Sequence, residues 1–279
     1  MNITSTYPQH PLLKKHIRYI YFLSTGEPSS SEEFYVFPNL GTAISVAKGS
    51  ISNAEANELR ITETDAACYD VRLQVMRKEP VLVKIKGRVN EITIVFTTLG
   101  FNHFITDPVN ELLGTHNPSN IPFDHYNDLL PFCAAVFDAQ GTEAATEVIE
   151  NYFLSKLVTF SEPSLELGVK LLMESNGELK IAELSKALGL QAKAIERLFI
   201  KHLAITPVAF RTIIRFRYAL KAKSKNTAET STKLAYGSNF YDQSHFINTF
   251  RKITGKSPGF FFRDIQAEAD GNYIIDPFV

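Results

Sequence analysis

The stretch "NFYDQSHFINTFRKITGKSP", residues 239–258, sets Asp242, Gln243, Ser244 and His245 side by side at the start of a segment with helical periodicity. Consecutive helical side chains point about 100° apart, so these four cannot converge on one reacting atom. They divide into separate jobs instead. Asp242 is expected to cap the helix by accepting a backbone N–H, because a carboxylate is favoured at a helix N-terminus and repelled by phosphate. Phe240, Phe246 and Phe250 are expected in a core, which leaves Gln243, Ser244, His245 and Asn248 fanned outward. Such a fan suits contacts spread along a nucleic-acid groove. An ordinary solvated face has the same pattern, and these residues alone leave both readings open.

A related arrangement lies upstream. "SLELGVKLLMESNG" (164–177) reads as a helix stopped by Asn-Gly, and "KIAELSKALGL" (180–190) as a second helix stopped by Gly189. "QAKAIERLFIKHL" (191–203) follows after a turn so short that the pair forms a helix-turn-helix, whose second member enters the DNA major groove. Leu184, Leu188, Ile195, Leu198 and Phe199 would lock the two helices together and leave Lys193 and Arg197 outside. Many helical hairpins share this spacing. "TPVAFRTIIRFRYALKAK" (206–223) then reads as a long helix with Pro207 near its first turn, where a missing N–H costs nothing. Both candidate reading helices run from an aromatic residue through basic residues to a Ser/Thr-Pro helix start. Pro207 and Pro258 are 51 residues apart, a spacing that fits two units bridged by one helix, able to reach major-groove faces roughly 34 Å apart.

Charge supports a divided chain. The 279 residues carry a formal net charge of −1, but residues 1–160 hold 12 Lys and Arg against 18 Asp and Glu, a balance of −6. Residues 161–264 hold 17 against 9, a balance of +8, and residues 265–279 hold none against 3. A basic block of about a hundred residues points to a polyanion-binding module joined to something else. Within it, Lys221, Lys223 and Lys225 form either a solvated face or a set of phosphate contacts.

The first half reads as strands. "YIYFLST", "FYVFPNLGTAISVAKG", "CYDVRLQVMRK" and "PVLVKIKGRVNEITIVFTTLGF" are rich in β-branched and aromatic residues and broken by Gly, Pro and Asn. Strands without long intervening helices suggest a barrel or sandwich, with a pocket in its mouth. Tyr35, Phe37, Tyr69 and Phe96 are candidates for that pocket or for the core. Residues 125–138 and 142–157 have helical spacing and form either a pair packed on the strands or a dimer interface. "TFSEPS" (159–164) is the linker to the helical half.

Several chemistries lack their residues. Cys68 and Cys133 are far apart in apolar surroundings, which leaves no disulfide framework or cysteine-rich zinc site and suggests two buried thiols. The histidines 10, 16, 103, 116, 125 and 202 show no HxH or HxxxH spacing, so a metal site would need His103 or His116 to converge from distant strands. No GxGxxG, GxxxxGK or GxSxG segment occurs. The N-terminus lacks a basic stretch followed by an apolar one, and no run of about 18 apolar residues exists, so a soluble cytoplasmic protein is expected.

The blocks "LKIAELSKALGLQAKAIERLFIKHLAITPVAF" (179–210) and "KLAYGSNFYDQSHFINTFRKITGKSPGFF" (233–261) together resemble the twin helix-turn-helix domain of AraC/XylS-type transcription regulators. The resemblance spans residues 164–264, and its most specific part is F-x-D-Q-S-H-F-x-x-x-F-R-x-x-x-G-x-S-P. More weakly, "PNLGTAISV" and "ITIVFTTLGFNHFI" are similar to the β-barrel sensor domains of that family. The resemblance implies base-facing roles for Lys193, Glu196 and Arg197 with Gln191 at the helix start, and for Gln243, Ser244 and His245 with Asn248 one turn on. Two positions depart from the family pattern, and a third is acidic on a surface expected to meet DNA. Asn239 replaces a usual Gly, Gly237 sits mid-helix at a cost of about 1 kcal/mol, and Glu196 is acidic. Glu196 either reads a cytosine amino group or pairs with a neighbouring cation.

The expected architecture is a mostly β, cupin-like barrel with a helical pair (1–158), an all-α domain of two helix-turn-helix units joined by a long helix (159–265), and an acidic tail (266–279). By resemblance it is a non-enzymatic, sequence-specific regulator without metal or cofactor. Its partners would be double-stranded DNA, a small-molecule effector bound in the barrel, a second copy in a homodimer and, for an activator, RNA polymerase. Two alternatives remain: a barrel metalloenzyme with a DNA-binding tail, and a regulator answering to a protein partner with no small ligand. A cysteine-based alkyl-transfer module, known ahead of the helix pair in one relative, needs four cysteines, and this chain has two.

Overall fold

Side-chain alternation along nine N-terminal strands, joined by a two-residue strand from the C-terminal end that pairs with the third of them, builds two facing sheets. The strands are β1 (Asn2–Thr6), β2 (Ile17–Ser24), β3 (Ser31–Val36), β4 (Ala43–Lys48), β5 (Ser50–Glu55), β6 (Glu58–Glu63), β7 (Tyr69–Gln74), β8 (Val81–Lys86), β9 (Asn90–Phe96) and β10 (Tyr273–Ile274). One sheet has the order β1-β2-β9-β4-β7 and the other β10-β3-β8-β6-β5. These coordinates are a computed structural model that describes residues 1–55, 57–113, 126–225, 243–258, 261 and 273–274.

Register in the first sheet decides which side chains face the second. Tyr21, Thr93, Ser45 and Arg72 pair in one row across β2, β9, β4 and β7. Because the strand period is two, the adjacent row of Ile20, Ile94, Ile44 and Leu73 points the other way. That outer row is buried under α2 (Tyr126–Asp138) and α3 (Gly141–Ser155), together with Phe96, Cys133, Ile149 and Phe153. The helical pair thus packs on the strands. The thiol of Cys133 is pushed up to about 12 by burial, whereas Cys68 is only half-buried and donates to the Ser50 carbonyl at 3.6 Å.

The two sheets face one another as a sandwich and do not close into the barrel read from the sequence, since among the described residues neither sheet's strands are paired into the other. The chain crosses between sheets at the β4–β5 corner, where Gly49 takes φ 65°. Its N–H donates to Cys68 and its carbonyl accepts from Thr64, each at 2.9 Å. A side chain there would be strained in the left-handed region.

The helical half holds α4 (Pro163–Glu174), α5 (Ile181–Leu188), α6 (Ala192–Leu203), α7 (Pro207–Lys225) and α8 (Gln243–Thr254), with a short α1 (Val109–Leu113) earlier in the chain. Leu165, Leu172, Leu184, Ile195, Phe199 and Phe210 form the core of the first unit, and Met76, Leu40 and Leu99 from the β half pack into it. The two halves therefore share one apolar cluster. No described helix is long and apolar enough to cross a membrane.

Candidate nucleic-acid interface and internal cavity

Local chemistry fixes the first helix pair. Glu183 Oε2 accepts from the Lys180 N–H at 2.7 Å at the start of α5, tying down a donor that helix geometry leaves unpaired. Gly189 ends α5 at φ 63°, and Gln191 turns the chain into α6. Ile195, Phe199 and Leu203 point into the core. On the opposite face Gln191, Lys193 and Arg197 are exposed. Glu196 is half-buried and pairs with Lys193, Nζ to Oε2 3.1 Å. The acidic residue thus has a neighbouring cation on its own helix.

The second unit is anchored by aromatic rings. Phe250 and Ile253 of α8 are buried, and the Phe250 ring lies 5.3 Å from Phe216 of α7 and 5.1 Å from Phe261. Asn248 and Arg251 are exposed. Gln243, Ser244 and His245 fall in the first turn of α8, with side chains outside the described residues, as are those of Phe246, Lys221, Lys223 and Lys225. Gly237, Asn239, Phe240, Asp242, His116 and His125 also lie outside them.

A cavity of about 130 Å³ lies between the sheets. Its two walls differ in chemistry. Phe34, Leu59, Ile61, Val83 and Ile85 make the second sheet's wall mostly apolar, with Glu58 of β6 at its margin. The first sheet contributes a directed hydrogen-bond chain. Gln74 Nε2 donates to Ser45 Oγ at 2.7 Å, the Ser45 and Thr93 hydroxyls meet at 2.6 Å, and Thr93 Oγ1 donates to Glu91 Oε1 at 3.1 Å. Since Thr93 spends its proton on Glu91, Ser45 must donate to Thr93.

The chain ends in a buried ion cluster. Arg72 donates to Glu91 and to Asp70. Burial opposes the charge on Arg72, but attraction from Glu91 and then Asp70 outweighs it and holds the guanidinium above its ordinary value. Arg72 Nε has no hydrogen-bond partner among the described residues. Arg77 also lines the cavity, half-buried, and burial lowers its guanidinium. The expected aromatics divide: Phe37 lines the cavity, while Tyr69 and Phe96 pack on the helical side and Tyr35 is exposed. The charged members were missed in the sequence, although "CYDVRLQV" places Asp70, Arg72 and Gln74 on one strand face and Tyr69, Val71 and Leu73 on the other.

The helical half closes on this cavity. Arg217 of α7 lines it, donating through Nε to the Pro38 carbonyl at 2.7 Å and through Nη2 to the Phe37 carbonyl at 3.4 Å. Elsewhere on the junction, Asn102 Nδ2 donates to the His202 carbonyl at 3.2 Å and the Val158 N–H to the His103 carbonyl at 2.8 Å. The His16 and His103 rings lie 3.9 Å apart, and burial, then His103 and Lys15, push His16 down to about 4. Among the described residues no three His, Cys, Asp or Glu side chains gather as a metal set.

Residues 184–264 match the family model described as a helix-turn-helix domain. The chain is also similar to the crystal structure of ToxT from Vibrio cholerae O395, at 12% identity over 87% of this chain and 97% of that one, with a TM-score of 0.44. A structure of unsaturated fatty acid-bound wild-type ToxT from Vibrio cholerae strain SCE256 gives 14% identity, 86% and 94% coverage and a TM-score of 0.39. No curated protein matches the chain.

Proposed function

We propose that the chain, whose residues 184–264 match a helix-turn-helix domain and resemble the AraC-type pair, is a sequence-specific, non-enzymatic transcription regulator whose β half senses a small molecule. The observation that carries the DNA reading is α6: one face is locked into the core by Ile195 and Phe199, and the other presents Gln191, Lys193 and Arg197 to solvent. Arg and Lys on an exposed recognition helix can reach guanine edges, and Gln adenine. Glu196 belongs to the same helix, and Gln243, Ser244, His245 and Asn248 of α8 complete the proposed reading surface. The division between sensor and DNA-binding halves falls near residue 158.

Binding to duplex DNA, followed by fluorescence anisotropy, should weaken linearly on a log–log plot against salt, with a slope set by several phosphate contacts. A flat response would remove the basic-face account. The effector reading rests on the cavity, whose polar and apolar walls suit a small amphipathic molecule; Arg72, Arg77 and Arg217 line it together with Glu58, Glu79 and Glu91, so its formal charges balance. Thermal-shift screening of metabolites should find saturable stabilisation, and stabilisation by none would favour control by a protein partner. A homodimer, and contact with RNA polymerase if the protein activates, belong to the same reading.

A further inference from the structure

We propose that Phe37, a residue of the β half, is the positioning residue for the second reading helix, α8, and ties that helix to the wall of the internal cavity. Phe37 lines the cavity and is 3% exposed. Its ring lies 6.1 Å from Phe216 and 5.1 Å from Phe261. Those two rings in turn pack on Phe250, the buried anchor of α8, at 5.3 and 5.1 Å. The aromatic core that fixes α8 is therefore completed by a ring from outside the helical half. Its backbone is held as well, since Arg217 of α7 grips the Phe37 and Pro38 carbonyls. A shift of Phe37 must move with α7 or break those bonds. Packed cores of this kind change between discrete arrangements and do not deform continuously.

The first unit meets the same cavity differently. Its contact is Met76, which lines the cavity and belongs to the cluster with Leu184, Ile195 and Phe199. An unbranched thioether adapts to its surroundings, whereas a phenyl ring passes displacement on. The cavity is thus mechanically coupled to α8 through a rigid ring and to α6 through a compliant side chain. This inference rests on the DNA-binding reading above.

The test uses the full chain and a duplex that the wild-type protein selects from random DNA, with each half scrambled in turn. Arg197→Gln and Asn248→Ala assign the halves to α6 and α8. Phe37→Ala should lower affinity for the intact duplex on the order of tenfold, the scale of one lost base-pair preference. Scrambling the α8 half should then cost little more, while scrambling the α6 half should cost what it costs the wild type. Hydrogen exchange should show α8 amides losing protection with α6 and β9 unchanged, and Met76→Leu should behave as wild type. Equal loss at both halves, or no loss at either, would overturn the proposal. If Phe37→Ala also loosens the sheets, Phe37→Leu decides by the same selectivity: loss confined to the α8 half supports the proposal and equal loss overturns it. A wild-type protein that discriminates neither half would instead mark failure of the DNA reading.

Discussion

Replacement of Arg72 by methionine should be among the most destabilising single changes in the β half. Arg72 is 2% exposed and its partner Glu91 6%, so the substitution leaves a buried carboxylate without its cation. Breaking a buried pair from one side costs about 3–5 kcal/mol. Asp70 adds less to that cost, because its side chain is 18% exposed and water can replace the lost contact. The double replacement Arg72→Met with Glu91→Leu removes both buried charges, and such exchanges are often neutral or stabilising. It should therefore recover most of the loss and end within about 2 kcal/mol of wild type, with the stranded Thr93 hydroxyl accounting for part of the residue. The chain has 11 tyrosines and no tryptophan, so urea unfolding is followed by tyrosine fluorescence and circular dichroism. With a slope of about 1–3 kcal/mol per molar urea, the single variant should lower the midpoint by roughly 1 M or more. A single variant costing under about 1 kcal/mol, or a double variant as unstable as the single, would refute the buried-charge argument.

Three further outcomes follow from the geometry. Arg197→Gln should weaken binding to a selected duplex by about 1–3 kcal/mol with the unfolding midpoint unchanged, because the side chain is exposed; a shifted midpoint would give it a structural role instead. Phe199→Ala should cost about 3–5 kcal/mol of stability, since the ring is 1% exposed in the core shared by both halves, and calorimetry measures it. Stability should also fall on acidification. His16 drops from 6.5 to about 4 on folding, so the unfolded chain binds the extra proton between those values, and the stabilisation present above about pH 6.5 is lost as pH falls toward 4. The full shift would be worth ~3.4 kcal/mol, but partial exposure reduces this to ~1–2 kcal/mol. His16→Asn should flatten urea midpoints between pH 7 and 4.5, and an unchanged slope would assign the acid sensitivity to other groups.

Sequence revealed most where pattern and chemistry agreed locally. Gly189 after "KIAELSKAL" and Pro207 after "AIT" marked real helix boundaries, because a left-handed stop and a missing N–H have only a few places to go. Strands with one strongly apolar face, such as β9, were equally visible. Strands β1, β5 and β6 were not: "NITST", "SISNAE" and "ELRITE" are rich in polar residues and mostly exposed or half-buried, so their pairing depends on neighbours distant in sequence. The cavity was hidden for the same reason. Arg72 and Glu91 are 19 residues apart and meet only once β7 and β9 flank β4, whereas charges in a strand otherwise suggest a solvated face. Phe37 was legible as an apolar aromatic, but its contact with Phe216 and Phe261 requires the helical half to dock on the sheets.

The central claim is that this chain reads DNA sequence through two helices, and selection of bound duplexes from random DNA by the full-length protein tests it most directly. The account predicts enrichment of two short motifs with centres about one helical turn, roughly 10 base pairs, apart, one altered by Arg197→Gln and the other by Asn248→Ala. Recovery of unenriched DNA, or of a single motif indifferent to both substitutions, would contradict it.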